Sequence, residues 1–184
     1  MTIKREMVTL EDAKQQVRMV CVRLGLLHLS FSRTLIDELG EEKGKELILK
    51  AIKDYGIRIG EKATTSAIAQ GLDNSLVNMK GDLPSYGMHE REGETLEVDG
   101  ETRRRVYGCV MAEIWNEFGE SELGRLYCYV DPAKYMAFNP SFKLFHTKAL
   151  PDGDEYCELV VRPTTEQERK DFTDKDKDWS YIDR

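Results

Sequence analysis

Apolar residues near the start of the chain recur at steps of three and four. Val17, Val20, Leu24, Leu27, Phe31 and Leu35 form one stripe, the pattern of a helix with a single buried face. Thr9 is placed to cap that helix, Glu11 and Asp12 sit in its first turn, and Gly40 is placed to end it. A second helix is predicted from Glu41, with Ile48, Ile52, Tyr55 and Ile59 on one stripe. Gly44, Gly56 and Gly60 interrupt it, each costing about 1 kcal/mol relative to alanine in an exposed helix. Gly56 and Gly60 lie about one turn apart, so close helix packing is the expectation and a ligand contact the alternative.

Between Gln70 and Gly93 the periodicity fades. The runs Gly71-Leu-Asp-Asn-Ser and Gly81-Asp-Leu-Pro-Ser-Tyr-Gly are rich in turn formers and predict a long loop or two short helices, a place where lids occur. A hairpin follows: Leu96 and Val98 alternate, Asp99-Gly100 is a favoured two-residue turn, and Thr102 to Tyr107 returns. The run Arg103-Arg104-Arg105 reads as a solvated edge that discourages strand-to-strand association. Two short helices are expected next, Met111 to Phe118 closed by Gly119, then one capped by Ser121 and running towards Tyr129. Asp131-Pro132 looks like an N-cap followed by proline at the first helical position, and Asn139-Pro140 ends that element. A second hairpin pairs Phe142 to Leu150 with Glu155 to Arg162 around Pro151-Asp-Gly-Asp154. The predicted class is α+β: an N-terminal helical hairpin packed against an antiparallel sheet built from two hairpins, with short intervening helices. Residues 1–163 form one domain in this reading, and 164–184 a charged extension, solvated or loosely docked.

Composition narrows the function. At 184 residues with 40% apolar and 33% charged positions, collagen-like, mucin-like and wholly disordered chains are excluded. The balance of 27 Lys+Arg against 34 Asp+Glu makes nucleic acid a poor partner, because phosphate binding needs a basic footprint. The first residues lack the apolar core of a signal peptide, and the apolar run Leu24 to Leu29 is broken by His28 and too short to span a bilayer. A cytoplasmic protein without a membrane partner is expected. Its four cysteines, Cys21, Cys109, Cys128 and Cys157, lack paired CxxC spacing and are read as reduced thiols. With no HExxH and no GxxxxGK[ST] motif, neither zinc nor P-loop nucleotide chemistry has support, and no cofactor or metal is expected.

The second hairpin holds the most informative candidates. A four-residue turn sets Leu150 opposite Glu155, Lys148 opposite Cys157 and His146 opposite Leu159, so Leu144, His146, Lys148, Cys157, Leu159 and Val161 share a face. A thiol beside an ammonium and an imidazole has a lowered pKa and becomes a nucleophile. The alternative is that Cys157 is a small buried hydrophobe and Lys148 snorkels to water. Cys128 and Asp131, three residues apart, form a second pair, with core filling and helix capping as their plain roles. Among the histidines, His28 reads as a satisfied core residue, His89 as an exposed loop residue and His146 as the functional candidate.

Leu123-Gly-Arg-Leu-Tyr-Cys-Tyr-Val-Asp-Pro132, Phe138-Asn139-Pro140, Thr147-Lys148, Leu150 and Gly153-Asp154 before Cys157 together resemble the L-2-amino-thiazoline-4-carboxylic acid hydrolase family. At the level of fold the chain is also similar to four-vinyl-reductase-type ligand-binding domains. The first resemblance implies hydrolytic opening of a small cyclic amidine. Attack at the amidine carbon and protonation of the departing heteroatom are then required. Mapped on this chain, the resemblance makes Cys128, Asp131, Asn139 and Cys157 the residues of interest. Cys157 stands ahead of Cys128 as nucleophile, Asp131 holds the cationic amidine and Asn139 donates hydrogen bonds to the intermediate. His146 joins the catalytic set from the hairpin geometry, and Lys148 and Tyr127 join Asn139 as substrate contacts. The expected function is a hydrolase of a non-peptide C–N bond acting on a small molecule. The rivals are a binding or sensor domain without turnover, and a metal-binding protein using Cys128, His146 and Cys157. A homodimer through the glycine-bearing helix faces is the one protein partner considered.

Overall fold

The computed structural model describes residues 7–80, 84 and 86–183. The expectations for positions 1–6, for 81–83 and 85 in the turn-rich run, and for Arg184 lie outside the described residues. Two long helices open the fold, α1 (Leu10–Leu39) and α2 (Glu41–Ala69). Thr9 caps α1 as predicted, its hydroxyl accepting the Asp12 N–H at 3.1 Å. Gly40 joins the helices at φ 79°, a positive value that favours glycine.

The buried face of α1 differs from the predicted stripe. Val20, Leu27 and Phe31 are exposed, whereas Cys21, Gly25, His28, Leu29 and Ser32 face the core. The reason is a large neighbour. Trp115, on α3 (Val110–Glu117), fills the space beside α1 and donates its indole N–H to the Gly25 carbonyl at 3.3 Å. Small Gly25 and hydrogen-bonded His28 fit beside it, and Val17, Leu24 and Leu35 of the predicted stripe still pack against the core from partly buried positions. His28 is the satisfied core residue expected, its Nε2 3.0 Å from the Leu123 carbonyl. By length and composition alone α1 is long and apolar enough to cross a membrane, a test that core helices also pass.

The close packing expected of the α2 glycines is present. A Cβ on Gly56 would meet Ala133 Cβ at 2.5 Å and the Val130 carbonyl at 3.0 Å, and one on Gly60 would strike the Lys134 carbonyl. Both neighbours lie on α5 (Val130–Phe138). The chain reaches α5 through α4 (Ser121–Arg125) and a 3-10 turn over Leu126–Tyr129. Two capping expectations fail here. Glu120, not Ser121, occupies the cap position of α4, and its carboxylate pairs with Arg33 of α1. Asp131 is not a cap because the backbone is already helical at Tyr129, so its carboxylate is available for other partners.

Four strands form one antiparallel sheet in the order β1-β2-β4-β3: β1 (His89–Val98), β2 (Glu101–Cys109), β3 (Phe142–Lys148) and β4 (Cys157–Pro163). The first hairpin turns at Asp99 (φ 52°) and Gly100 (φ 76°), as the Asp-Gly pair predicts. His89 begins β1 instead of lying in the loop, and the stretch before it holds one 3-10 turn, Leu76–Asn78. The arginine run is not an edge. It lies on β2, inside the sheet, and Arg103 and Arg105 both reach Glu158 of β4 at 2.8 Å. Strand alternation turns Arg104 to the opposite face.

The charged extension is folded onto the body. Thr165 and Glu168 make a reciprocal capping box on α6 (Glu166–Thr173), and the Lys143–Glu168 ion pair (2.5 Å) ties that helix to β3. Phe172, Trp179 and Ile182 are buried with the helical core, and the Lys53 ammonium lies 5.0 Å from the Phe172 ring and 5.6 Å from the Trp179 ring. Of the two expectations, solvated or loosely docked, the segment is docked, because three large apolar residues among its alternating charges have a core to enter.

Replacing Gly56 by alanine is expected to cost about 1–3 kcal/mol by overpacking α2 against α5, read as a lower midpoint in urea unfolding. Glu158 generates a pH prediction. Burial works to raise its pKa, but Arg105, Thr147 and Arg103 outweigh it and hold the carboxyl down at about 2, against an ordinary 4.5. Its stabilising contribution is therefore present above the unfolded pKa and fades as pH falls from there towards 2. Glu158→Gln should be about 3 kcal/mol less stable at pH 7, with the gap closing through that acid window in denaturation measured pH by pH.

Candidate active site

The glycine face of α2 seats α5 closely enough that its first turn meets β3. Asp131 lies in that turn, and His146 projects from β3 on the helix-facing side of the sheet. The two meet at 3.7 Å, Asp131 Oδ2 to His146 Nε2. Lys134, one turn along α5, holds the other oxygen of Asp131 at 2.5 Å. On the far side of the imidazole, Nδ1 lies 3.1 Å from Asp183 Oδ1, which also accepts the His146 backbone N–H at 3.0 Å. Arg125 completes the row, 2.7 Å from Asp183 and 2.9 Å from Asp152. Lys134 meets Asp131 and Arg125 meets both Asp183 and Asp152, so cations accompany the carboxylates of the row.

Asp131 faces a cleft of about 850 Å³ between the start of α1, the strands β1 and β2, and α5. His89, Arg104, Lys134 and Tyr135 share its wall with apolar Leu144 and Leu159. Burial would raise the Asp131 pKa, but the Lys134 ammonium and His146 outweigh it and hold the carboxyl below its ordinary range. Asp131 is thus ionised at neutral pH. His89 is shifted down, first by burial and then by Arg104, with Asp131 opposing. It is therefore a neutral imidazole at pH 7, able to accept a proton. Arg104 has no ion-pair partner among the described residues, unlike its neighbours in the run, and its guanidinium is available to an anion. His146 does not line this cleft. It lines a second one, of about 650 Å³, with Arg125 and Asp183.

The thiol site expected on the second hairpin is not built. His146 opposes Leu159 as predicted, but an irregularity between His146 and Lys148 sets Lys148 opposite Glu158. The Lys148 ammonium then lies 4.8 Å from the Tyr156 ring, away from Cys157. Cys157 instead packs with Val106 and Ala149 and accepts the Leu150 N–H on Sγ at 3.3 Å. Burial pushes its thiol up to about 12, and the Leu150 N–H only partly offsets this. Cys128 and Cys109 are raised by burial as well, and Cys21 by burial and the nearby Cys109. Cys109, Cys128 and Cys157 do converge, close enough to influence one another's charge and that of Asp131.

Two expected substrate contacts are occupied elsewhere. Asn139 follows the last residue of α5, where its amide donates to the Asn74 carbonyl at 2.9 Å and its oxygen accepts the Ser141 N–H at 2.9 Å. Tyr127 is buried among His28, Tyr55 and Trp115. A metal held by Cys128, His146 and Cys157 lacks the geometry, since no group of three His, Cys, Asp or Glu ligands comes together among the described residues. Sequence reasoning missed His89, Arg104, Arg125 and Asp183. Strand alternation within the arginine run was the one available signal, for Arg104.

A sequence profile of the L-2-amino-thiazoline-4-carboxylic acid hydrolase family matches residues 24–161, more than half of the chain. No curated protein and no solved structure matches it. The matched span contains Asp131, His89, Arg104 and His146 but stops short of Asp183.

The buried thiols generate a direct prediction. At pH 7 an alkylating reagent such as iodoacetamide should modify Cys128 and Cys157 of the folded protein far more slowly than the same residues in urea. Rapid labelling of Cys157 in the native state, followed by peptide mass spectrometry, would restore it as a nucleophile.

Proposed function

The chain belongs to the L-2-amino-thiazoline-4-carboxylic acid hydrolase family, and we propose on that premise that it hydrolyses a small cyclic amidine bearing a carboxylate. The observation that carries the reading is the cleft itself, where an ionised Asp131 lines one wall with a neutral His89 and with Arg104, which has no ion-pair partner among the described residues. A 2-aminothiazoline carboxylate has a cationic end and an anionic end, and the charges that line the cleft include Asp131 to meet the one and Arg104 to meet the other. Asp131 accepts the amidinium N–H groups, and Arg104 receives the carboxylate through its planar fork.

His89 takes a proton from a water as that water adds to the amidine carbon, and returns it to the ring heteroatom that departs. Asp131, already ionised, favours the protonated amidine, the form whose carbon is the more electrophilic, and orients it. In this reading water, not a thiol, is the attacking group, because burial holds the Cys128 and Cys157 thiols protonated. Those two cysteines, with Tyr127 and Asn139, shape and brace the site without touching the reacting atoms, and Lys148 takes no part. His146 supports Asp131 from the sheet side.

Mass spectrometry of the protein incubated with L-2-amino-thiazoline-4-carboxylate is expected to show a product one water heavier. Asp131→Asn should lose about a hundredfold or more of kcat/KM, and Cys157→Ser should retain most of it. Arg104→Gln should raise KM at least tenfold for the carboxylate substrate and leave KM unchanged for 2-amino-2-thiazoline, which lacks that group. Saturable binding without product would assign the cleft to a sensor, and loss of turnover in Cys157→Ser alone would return the chemistry to the thiol.

A further inference from the structure

We propose that the outward face of α1 is the interface of a twofold-symmetric homodimer, in which two copies of that helix pack antiparallel about Leu27. The proposal is independent of the hydrolase reading. The interior of the fold uses one side of α1, where Gly25, His28 and Ser32 are buried. The other side carries Val20, Leu27 and Phe31, which are 61%, 53% and 66% exposed. Steps of seven and four residues separate these three, so they line up along one side of the helix. The polar residues among them lose little on burial. Ser30 donates its hydroxyl to the Leu26 carbonyl at 2.8 Å, and Thr34 donates to the Ser30 carbonyl at 2.9 Å, so both are satisfied within the helix. The glycine faces of α2, which the sequence offered for a homodimer, are covered by α5 at Gly56 and Gly60.

The order of charged and apolar residues along this face selects a second copy as its occupant and sets the direction. Arg23 lies four residues before Leu27 and Phe31 four residues after it, while Gln16 and Glu38 lie eleven residues to either side. A twofold axis through Leu27 therefore sets each Arg23 guanidinium against Phe31 of the partner subunit, a cation–π pair made twice. By the same symmetry Val20 packs on Thr34 of the partner subunit, and the Gln16 amide meets Glu38 of the partner subunit. The ion pairs of α1, Arg18 with Glu113 and Arg33 with Glu120, leave Arg23 and Glu38 without one among the described residues. A parallel pair would instead oppose Arg23 to Arg23 and Glu38 to Glu38, which like charges disfavour. A lipid surface fits less well. Helices that lie on membranes are rich in Lys and Arg along their polar face, whereas this face ends in Asp37 and Glu38 on a chain of net charge −7.

Sedimentation velocity of the full chain, carried up to about 100 µM, is expected to show a species of twice the 21.2 kDa chain mass. A monomer at every concentration would overturn the proposal. Leu27→Glu sets two carboxylates on the axis and should raise the dissociation constant about a hundredfold or more. Its exposed position leaves the fold intact, which an unchanged far-ultraviolet circular dichroism spectrum checks. A dimer that survives this substitution would place the interface elsewhere. Cysteine crosslinking reads the direction. Leu27→Cys alone should form a disulfide-linked dimer on mild oxidation, beyond any formed by the wild type, because each new thiol meets its own copy. Val20→Cys alone should not, and adding Thr34→Cys to it should restore the link. Failure of Leu27→Cys, or crosslinking of Val20→Cys alone, would overturn the antiparallel packing. Flotation with vesicles of phosphatidylcholine and phosphatidylglycerol is expected to leave the wild type unbound. Binding that Leu27→Glu abolishes would assign the face to a lipid surface and sink the dimer.

Discussion

A carboxylate withdrawn wholly from water is tolerable only where positive charge and hydrogen-bond donors meet it. Asp183 is in that position, and the groups that satisfy it come from three separate parts of the chain. Arg125 belongs to α4, the ring and backbone of His146 belong to β3, and Asp183 itself follows α6. The row of polar and charged groups from Asp131 to Asp152 is therefore also a structural clamp. It joins helix, sheet and the last segment at one point, and its outer end opens onto the cleft.

Close backbone approach places the other half of the site. Without side chains at Gly56 and Gly60, α2 lets α5 settle against it, and the first turn of α5 arrives beside the sheet. The propensity lost by glycine in a helix is offset by the packing it permits. The same logic explains α1, where Gly25 accepts Trp115 while Val20, Leu27 and Phe31 are turned outwards. In both helices the position of a small residue, more than the stripe of large ones, decides which face goes inside.

The chemistry of the cleft follows from separating roles that sequence proximity had suggested combining. Cysteine, lysine and histidine sit near one another along the second hairpin, yet one irregularity in β3 sends Lys148 to Tyr156 and leaves Cys157 in an apolar nest. Burial without a partnering cation keeps a thiol protonated. Asp131 is half-buried, with Lys134 beside it, and stays ionised. A thiol is the weaker acid to begin with, so burial reinforces its protonated form, while Lys134 offsets burial at Asp131.

Much of the fold was legible because the signals are local. Thr9 capping α1, Gly40 between the long helices, Asp99-Gly100 at the first hairpin, the end of α5 at Asn139 and the pairing of His146 with Leu159 each depend on a few adjacent residues. Sequence likewise singled out Asp131 and His146. What it could not supply were relations between distant segments: which face of α1 meets Trp115, that the arginine run lies inside the sheet, that His89 and Arg104 flank Asp131, and that Asp183 closes on His146. Hydrophobic periodicity records how an element can bury a face, while the choice of face, the register past an irregularity and the pairing of buried charges are settled only when all the elements compete for the same space.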